Sequence, residues 1–242
     1  WQAAHGAGRA TLRLWRSEPA ASLGCYEAER HALRPAYCQA RGIPVVRRLT
    51  GGGAWYLDGD QLGWTLALPE PASGTDGPAW LERMGRAVAG ALDELGVPAP
   101  HPATDSLEVE GRKLVALAVR AGDGVLFLQG TLLLQVDVAA MLQVLRVPKE
   151  KLTPQGLEGE RGSMATLDDL ANAAADPARI AAVLRRQHQR QKADEPGPGP
   201  APQTPRRPDA GIGLDGEFFA HRPRRHRVVI AVKAHGKIFV HF

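Results

Sequence analysis

Only two of the 242 residues are cysteines, Cys25 and Cys38. That is too few for a disulfide framework or a four-thiolate zinc site. No run approaches the roughly 18 consecutive apolar residues of a membrane helix, and the first residues lack the basic, apolar and small-residue series of a secretory signal. A cytoplasmic protein without a membrane partner is the expectation. GxxxxGK[ST] occurs nowhere, which excludes a Walker P-loop, and His5, His31, His101 and His188 show no metal-ligand spacing such as HExxH. A chain that opens on Trp1 and closes on KIFVHF also reads as a fragment or processed form.

What is present is an ordinary globular composition, 44% hydrophobic and 23% charged, enough for one large domain with at most a small appendage. The formal net charge of +4 is unevenly spread. Residues 179–242 carry 13 Lys+Arg against 5 Asp+Glu, leaving 17 against 21 for residues 1–178, so a mildly acidic body precedes a basic tail. RRQHQRQK, PRR and HRPRRHR in that tail could neutralise phosphates, but a solvated basic linker accounts for them better, so nucleic acid is not the expected partner.

Apolar runs bounded by Gly, Pro and Asp predict strands at 11–16, 43–48, 62–68, 106–111, 113–119 and 125–136. GPAWLERMGRAVAGALDELG places Trp80, Leu81, Met84, Val88, Ala91, Leu92 and Leu95 on one helical stripe that should pack on a sheet, with Gly96 as its stop. Shorter helices are expected after the N-caps Asp137 and Asp176. Interleaved strands and helices make the fold α+β or α/β around a mixed sheet. Residues 194–208 hold six prolines and read as a linker. Beyond it, RVVIAVKAHGKIFVHF predicts two strands joined around His235 and Gly236, too little to stand alone.

Two segments carry chemistry. VVRRLTGGGAWYLD (45–58) ends a strand in two arginines, adds Thr50 and Gly51, Gly52 and Gly53, and re-enters a strand through Ala54, Trp55 and Tyr56. Three glycines cost backbone entropy; they either make a flexible turn or bring bare N–H groups to an anion, with Arg47 or Arg48 forking onto a phosphate or carboxylate. The second is TDSLEVEGRKLVALA (104–118). Here Lys113 begins an apolar strand, as a snorkelling edge residue or as a desolvated cation over a phosphoryl or carbonyl oxygen.

LRLWR, SLGCYE, IPVVRRLTGGGAWYLD, GRKLVALA, QGTLLLQVD and KLTPQGLEGERGSMATL follow one another at about the spacing of the landmarks of the lipoate-protein ligase family. Over residues 11–170 the chain resembles that family, in the superfamily that includes biotin ligases and octanoyltransferases. The resemblance implies a catalytic domain over 1–193, ahead of the linker at 194–208 and part of an accessory domain at 209–242 that is otherwise missing or separate. It implies ATP-dependent joining of lipoate, or a related acyl acid, through an acyl-adenylate to a lysine of a lipoyl-domain acceptor protein, with Mg accompanying ATP. Adenylate binding transfers to Arg48, Gly51, Gly52, Gly53, Ala54, Trp55 and Tyr56, the reacting lysine to Lys113, and the acidic residue ahead of it to Asp105.

Three departures stand out. Val115, Ala116 and Leu117 replace a small-residue stretch and are expected to add bulk near the pocket. Leu57 replaces a histidine, and Glu27 a glutamine beside the expected acyl wall. An octanoyltransferase acting through a thioester would need a cysteine near Lys113, and none lies beyond Trp64. Cys25 and Cys38 read instead as small buried thiols. An ATP-independent transferase, or a non-catalytic homologue binding an acyl ligand or an acidic partner, are the other readings.

Overall fold

The computed structural model describes residues 11–69, 76–98, 100–170, 182–183, 186, 230–234 and 237–241. The chain begins with β1 (Thr11–Trp15), β2 (Ala20–Leu23), α1 (Glu29–Ala32), α2 (Pro35–Ala40), β3 (Val45–Arg47), β4 (Ala54–Leu57) and β5 (Gln61–Pro69). It continues with α3 (Gly77–Glu94), β6 (His101–Pro102), β7 (Ser106–Val109), β8 (Arg112–Gly122) and β9 (Val125–Leu133). Then come α4 (Val138–Val144), a 3-10 turn (Lys149–Leu152), α5 (Pro154–Gly162), α6 (Leu167–Leu170), and the hairpin β10 (Ile230–Ala234) and β11 (Lys237–His241).

Six strands form an antiparallel sheet in the order β1-β5-β9-β8-β7-β6. A smaller sheet runs β3-β2-β4, with β2 parallel to β3 and antiparallel to β4. Two tight hairpins set the register of the large sheet: Glu110–Gly111 (φ 54° and 72°) and Asp123–Gly124 (φ 55° and 71°) have the paired positive φ of type I′ turns. α3 starts where Asp76 accepts the Ala79 N–H and stops before Gly96 at φ 84°.

Side chains alternate across the large sheet. Leu62, Trp64, Val115, Leu117 and Leu132 face one way and cluster with Val88 and Leu92 of α3. The opposite face is small and polar. Its rows follow from the register: Trp15, Gly63, Thr131, Ala116 and Ser106 in one, Arg13, Thr65, Gln129 and Ala118 in the next. A Cβ at Gly63 would strike the Trp15 ring at 2.3 Å, and one at Gly130 the Trp64 ring at 2.1 Å, so each glycine seats a tryptophan on its own face.

The α+β expectation holds, as do the α3 stripe and the Asp137 cap, which accepts from Ala140 N–H at 2.9 Å. The expected strands at 106–111 and 113–119 join through the Glu110–Gly111 turn, and β8 extends to Gly122. The run 43–48 yields only three strand residues, and β9 stops at Leu133. β2 was not legible as a strand because AASL is short and buried throughout, with no alternation to read. The helix expected from Asp176 and the linker at 194–208 fall largely or wholly outside the described residues. The terminal hairpin pairs as expected, Ala234 opposite Lys237.

Candidate active site

The two adjacent arginines each hold one loop. Arg47 directs Nη1 at the carbonyls of Gly24 (2.8 Å), Cys25 (3.3 Å) and Glu27 (2.7 Å), fixing the turn that leaves β2. Arg48 is only 7% exposed. Its Nη1 donates to Ser22 O (2.9 Å), its Nη2 to Gly51 O (2.7 Å) and Gly53 O (2.8 Å), and its guanidinium lies 4.0 Å from the centre of the Trp55 ring. Burial pushes this group down to about 10, with Cys25 and Glu27 acting in the opposite sense, so it is cationic at neutral pH. Arg47 Nη1 and both Nη groups of Arg48 are committed to backbone carbonyls, while the buried Arg48 Nε has no hydrogen-bond partner among the described residues.

That commitment orients the glycine loop. In a trans peptide the carbonyl of one residue and the N–H of the next point opposite ways. Thr50 O accepts from Cys25 N–H (2.9 Å), Gly51 O from Arg48, and Gly52 O lies where a Gly24 Cβ would be, at 1.8 Å. All three carbonyls therefore face the protein, and the N–H groups of Gly51, Gly52 and Gly53 face away. Among the described residues none of these three N–H groups has a partner. Cβ positions at Gly51 and Gly53 meet nothing within 4 Å, while Gly52 needs its φ of 86°. Three free donors in front of a buried cation form a cradle for an anion.

The loop stands on the small, polar face of the large sheet. Thr50, fully buried, donates to Gln129 Oε1 at 2.8 Å, and Leu49 packs on Ala67, Val125 and Phe127. Beside Gln129 lie Ala118 and, one row on, Ala116. Lys113 shares this face because β8 is irregular there. Leu107 pairs with Val115 but Glu108 with Lys113, so Leu114 is an extra residue, and Leu114 and Val115 both enter the core. Without that bulge the parity of the strand would turn Lys113 toward α3.

Lys113 is clamped through its main chain. Its N–H donates to Ser163 O and its carbonyl accepts from Ala165 N–H, both at 2.9 Å, so the segment after α5 acts as a splint. The side chain is exposed, which matches the snorkelling alternative rather than the desolvated one, and among the described residues Nζ has no hydrogen bond or ion pair. About 15 Å of strand separates it from Ala118 under the glycine loop. Asp105 is exposed, and its carbonyl accepts from Leu117 N–H at 2.8 Å.

The remaining expected site residues divide. Trp55 lies under Arg48, but Ala54 and Tyr56 alternate to the other side of β4 and pack with Leu33, Cys38 and Val144 against the helices. Burial, with Asp58 and Asp137 nearby, pushes the Tyr56 phenol up to about 12. The bulk expected from residues 115–117 is absent from the cradle side: Val115 and Leu117 are in the core, and only the small Ala116 faces the floor. Leu57 is buried opposite Ala20, and Glu27 Oε1 accepts the Ala28 N–H at 3.1 Å. Cys38 is buried and its thiol is shifted up by that burial, whereas Cys25 is half-buried, its N–H on the glycine loop. Sequence reasoning did not single out Gly24, Gln129 or the Ser163–Ala165 splint as parts of the site, although the motifs SLGCYE, QGTLLLQVD and GSMATL contain all three.

A family model described as the lipoyl protein ligase A/B catalytic domain matches residues 2–189. The chain belongs to this family. It is 28% identical over 160 residues to lipoate-protein ligase LplJ of Bacillus subtilis (strain 168), covering 65% of this chain and 47% of LplJ. It is 29% identical over 163 residues to octanoyltransferase LipM of Moorella thermoacetica, covering 58% and 59%. The chain thus spans about half the length of the curated relatives it matches. In fold it is similar to a bipartite lipoate protein ligase from Thermoplasma acidophilum, solved in a study of that ligase and its E2 lipoyl domain (TM-score 0.68, 22% identity, 76% of this chain and 72% of the other). It is also similar to a lipoate-protein ligase A bound with ATP (TM-score 0.65, 20% identity, 78% and 74%). The fold of this family is therefore that of the lipoate ligases.

Proposed function

We propose that this chain joins lipoate, or a related acyl acid, through an acyl-adenylate to a lysine of an acceptor lipoyl domain. The observation that carries the reading is the cradle of free Gly51, Gly52 and Gly53 amides at one end of a face that carries Lys113 at the other. An elongated ligand with an anionic group, lying along the floor between the loop and Lys113, matches that span. In the first step a carboxylate oxygen attacks the α-phosphorus of ATP, the bond to the β-phosphate oxygen breaks, and pyrophosphate leaves. In the second the acceptor lysine nitrogen attacks the acyl carbonyl, the C–N bond forms, AMP departs and one proton is released.

The loop amides would line the bound adenylate, Arg48 would support them electrostatically from behind, and Lys113 would extend along the floor to the mixed anhydride, where the reacting carbonyl and the α-phosphate share one oxygen. Among the described residues no three His, Cys, Asp or Glu side chains converge, so magnesium would be carried by the ATP phosphates and water. Residues 194–208 would tether the 209–242 segment as part of an accessory element. Pyrophosphate release dependent on lipoate and ATP, followed by a mass increase on an acceptor domain, tests the proposal; acyl transfer without pyrophosphate would replace it. That second outcome, ATP-independent octanoyl transfer, is supported by the similarity to LipM.

A further inference from the structure

The turn after β2 presents Tyr26 with 91% of its surface exposed. A single exposed aromatic is ordinary by itself. This one is held out. The carbonyls before, beside and after it, on Gly24, Cys25 and Glu27, are all tied to Arg47, and Glu27 N–H donates back to Gly24 O at 3.1 Å. The main chain of the turn is thus fixed, with the ring projecting from it.

Its position relates it to the cradle. Cys25, the residue before it, donates its N–H to Thr50 O, and Gly24 lies against Gly52. Tyr26 therefore stands at the rim of the glycine loop, on the outside that an incoming macromolecule meets first. The surroundings are basic. From Tyr26 to Arg48 the chain carries Arg30, Arg34, Arg41, Arg47 and Arg48 against Glu27 and Glu29, in a body that is otherwise mildly acidic. Arg47 and Arg48 are used internally, and Arg34 holds Leu142 O (2.6 Å) and Val147 O (3.2 Å). Arg30 and Arg41 are exposed, and Arg146 joins them by donating to Arg30 O at 2.6 Å, with Lys149 exposed just beyond. Glu29 and Glu150 are the exposed carboxylates interspersed with them.

We infer that Tyr26, on the same side of the chain's turn as the exposed Arg30 four residues on and with Arg146 joined to Arg30, is the docking point for the acceptor protein, and that the acceptor is acidic around its target lysine. This rests on the function proposed above. A rigid tyrosine is the kind of side chain that anchors an interface when a partner covers it, and the arginines would raise the association rate with an acidic partner.

The test separates docking from chemistry. Full-length wild type, Tyr26→Ala, Tyr26→Phe and an Arg30→Glu/Arg146→Glu double variant are titrated with an unmodified lipoyl domain by surface plasmon resonance, and adenylate formation is followed separately as hydroxamate with hydroxylamine. Binding weakened about ten-fold or more by Tyr26→Ala, retained by Tyr26→Phe, and slowed in association by the charge reversal only at low salt supports the inference. Hydroxamate formation should stay within about two-fold. Unchanged acceptor affinity in Tyr26→Ala, or no measurable binding by wild type, overturns it. So does an equal loss of hydroxamate, which would place Tyr26 in the adenylate site. Absence of hydroxamate from wild type counts against the proposed reaction, while the binding titration still decides the docking.

Discussion

Gly24 and Gly52 meet backbone to backbone: a Cβ on Gly24 would lie 1.8 Å from the Gly52 carbonyl oxygen and 2.9 Å from its carbon. No flexible side chain is available to yield there. Gly24→Ala must push the glycine loop outward and so misdirect the N–H groups of Gly51, Gly52 and Gly53. The expected outcome is at least a ten-fold loss of affinity for a non-hydrolysable acyl-adenylate, with secondary structure by circular dichroism unchanged. Full affinity in the alanine variant would mean that the loop is not the binding element.

Arg48 supports the same loop from below. Arg48→Met takes the donor from the Ser22, Gly51 and Gly53 carbonyls, and each buried carbonyl left unpaired typically costs about 1–3 kcal/mol, so the melting temperature should fall markedly. Arg48→Lys keeps the charge but cannot fork to Ser22, Gly51 and Gly53 at once. It should fold and yet bind the adenylate weakly. If Arg48→Lys bound as well as wild type, the orientation of the loop would not depend on the guanidinium.

Lys113→Ala should abolish acyl transfer, by roughly two to three orders of magnitude, the scale of a preorganised charge donor. Its effect on the melting temperature should be small, because the side chain is exposed and the main chain carries the contacts to Ser163 and Ala165. Single-turnover transfer from preformed adenylate measures this directly. Near-normal transfer would remove Lys113 from the reaction.

Much of this arrangement was legible one segment at a time. The α3 stripe, the Asp137 cap and the strand runs follow from local periodicity and capping chemistry, and Thr50 with the three glycines was visible as a motif. What could not be read depends on partners distant in sequence. The backbone partners of Arg47 and Arg48, on Gly24, Ser22 and the loop itself, are invisible in the local motif. RKLVALA looks like an uninterrupted strand, and the bulge at Leu114 arises only from its pairing with Leu107 and Glu108 and from the splint at Ser163. The same bulge explains why Val115 and Leu117 are core residues rather than pocket bulk.

Ala116 and Leu117 should therefore respond in opposite ways. Ala116→Leu adds volume to the floor beside Thr131 and should raise the KM for the acyl acid while leaving the core intact. Leu117→Ala opens the core near Gly85 of α3 and should cost about 2–5 kcal/mol of stability with little change in KM. Urea unfolding and steady-state kinetics on the two variants separate the effects. A KM change confined to Leu117→Ala would reverse the assignment of the two faces.

Asp58 offers a test by pH. Its carboxyl is buried behind β4, where desolvation shifts it up, partly offset by the hydrogen bond its Oδ1 accepts from Asp60 N–H at 3.0 Å. A carboxyl whose folded value lies above its unfolded one binds more protons when folded. Stability should then fall as pH rises through the window from the unfolded value of about 3.9 to the raised folded value, and stay lowered above it. Asp58→Asn keeps an oxygen acceptor for Asp60 N–H but carries no charge to desolvate. The melting temperature of the variant relative to wild type should therefore increase as pH is raised from 4 to 7. A difference that stays constant, or shrinks, over that range would show that the Asp58 carboxylate is ionised in the fold without penalty.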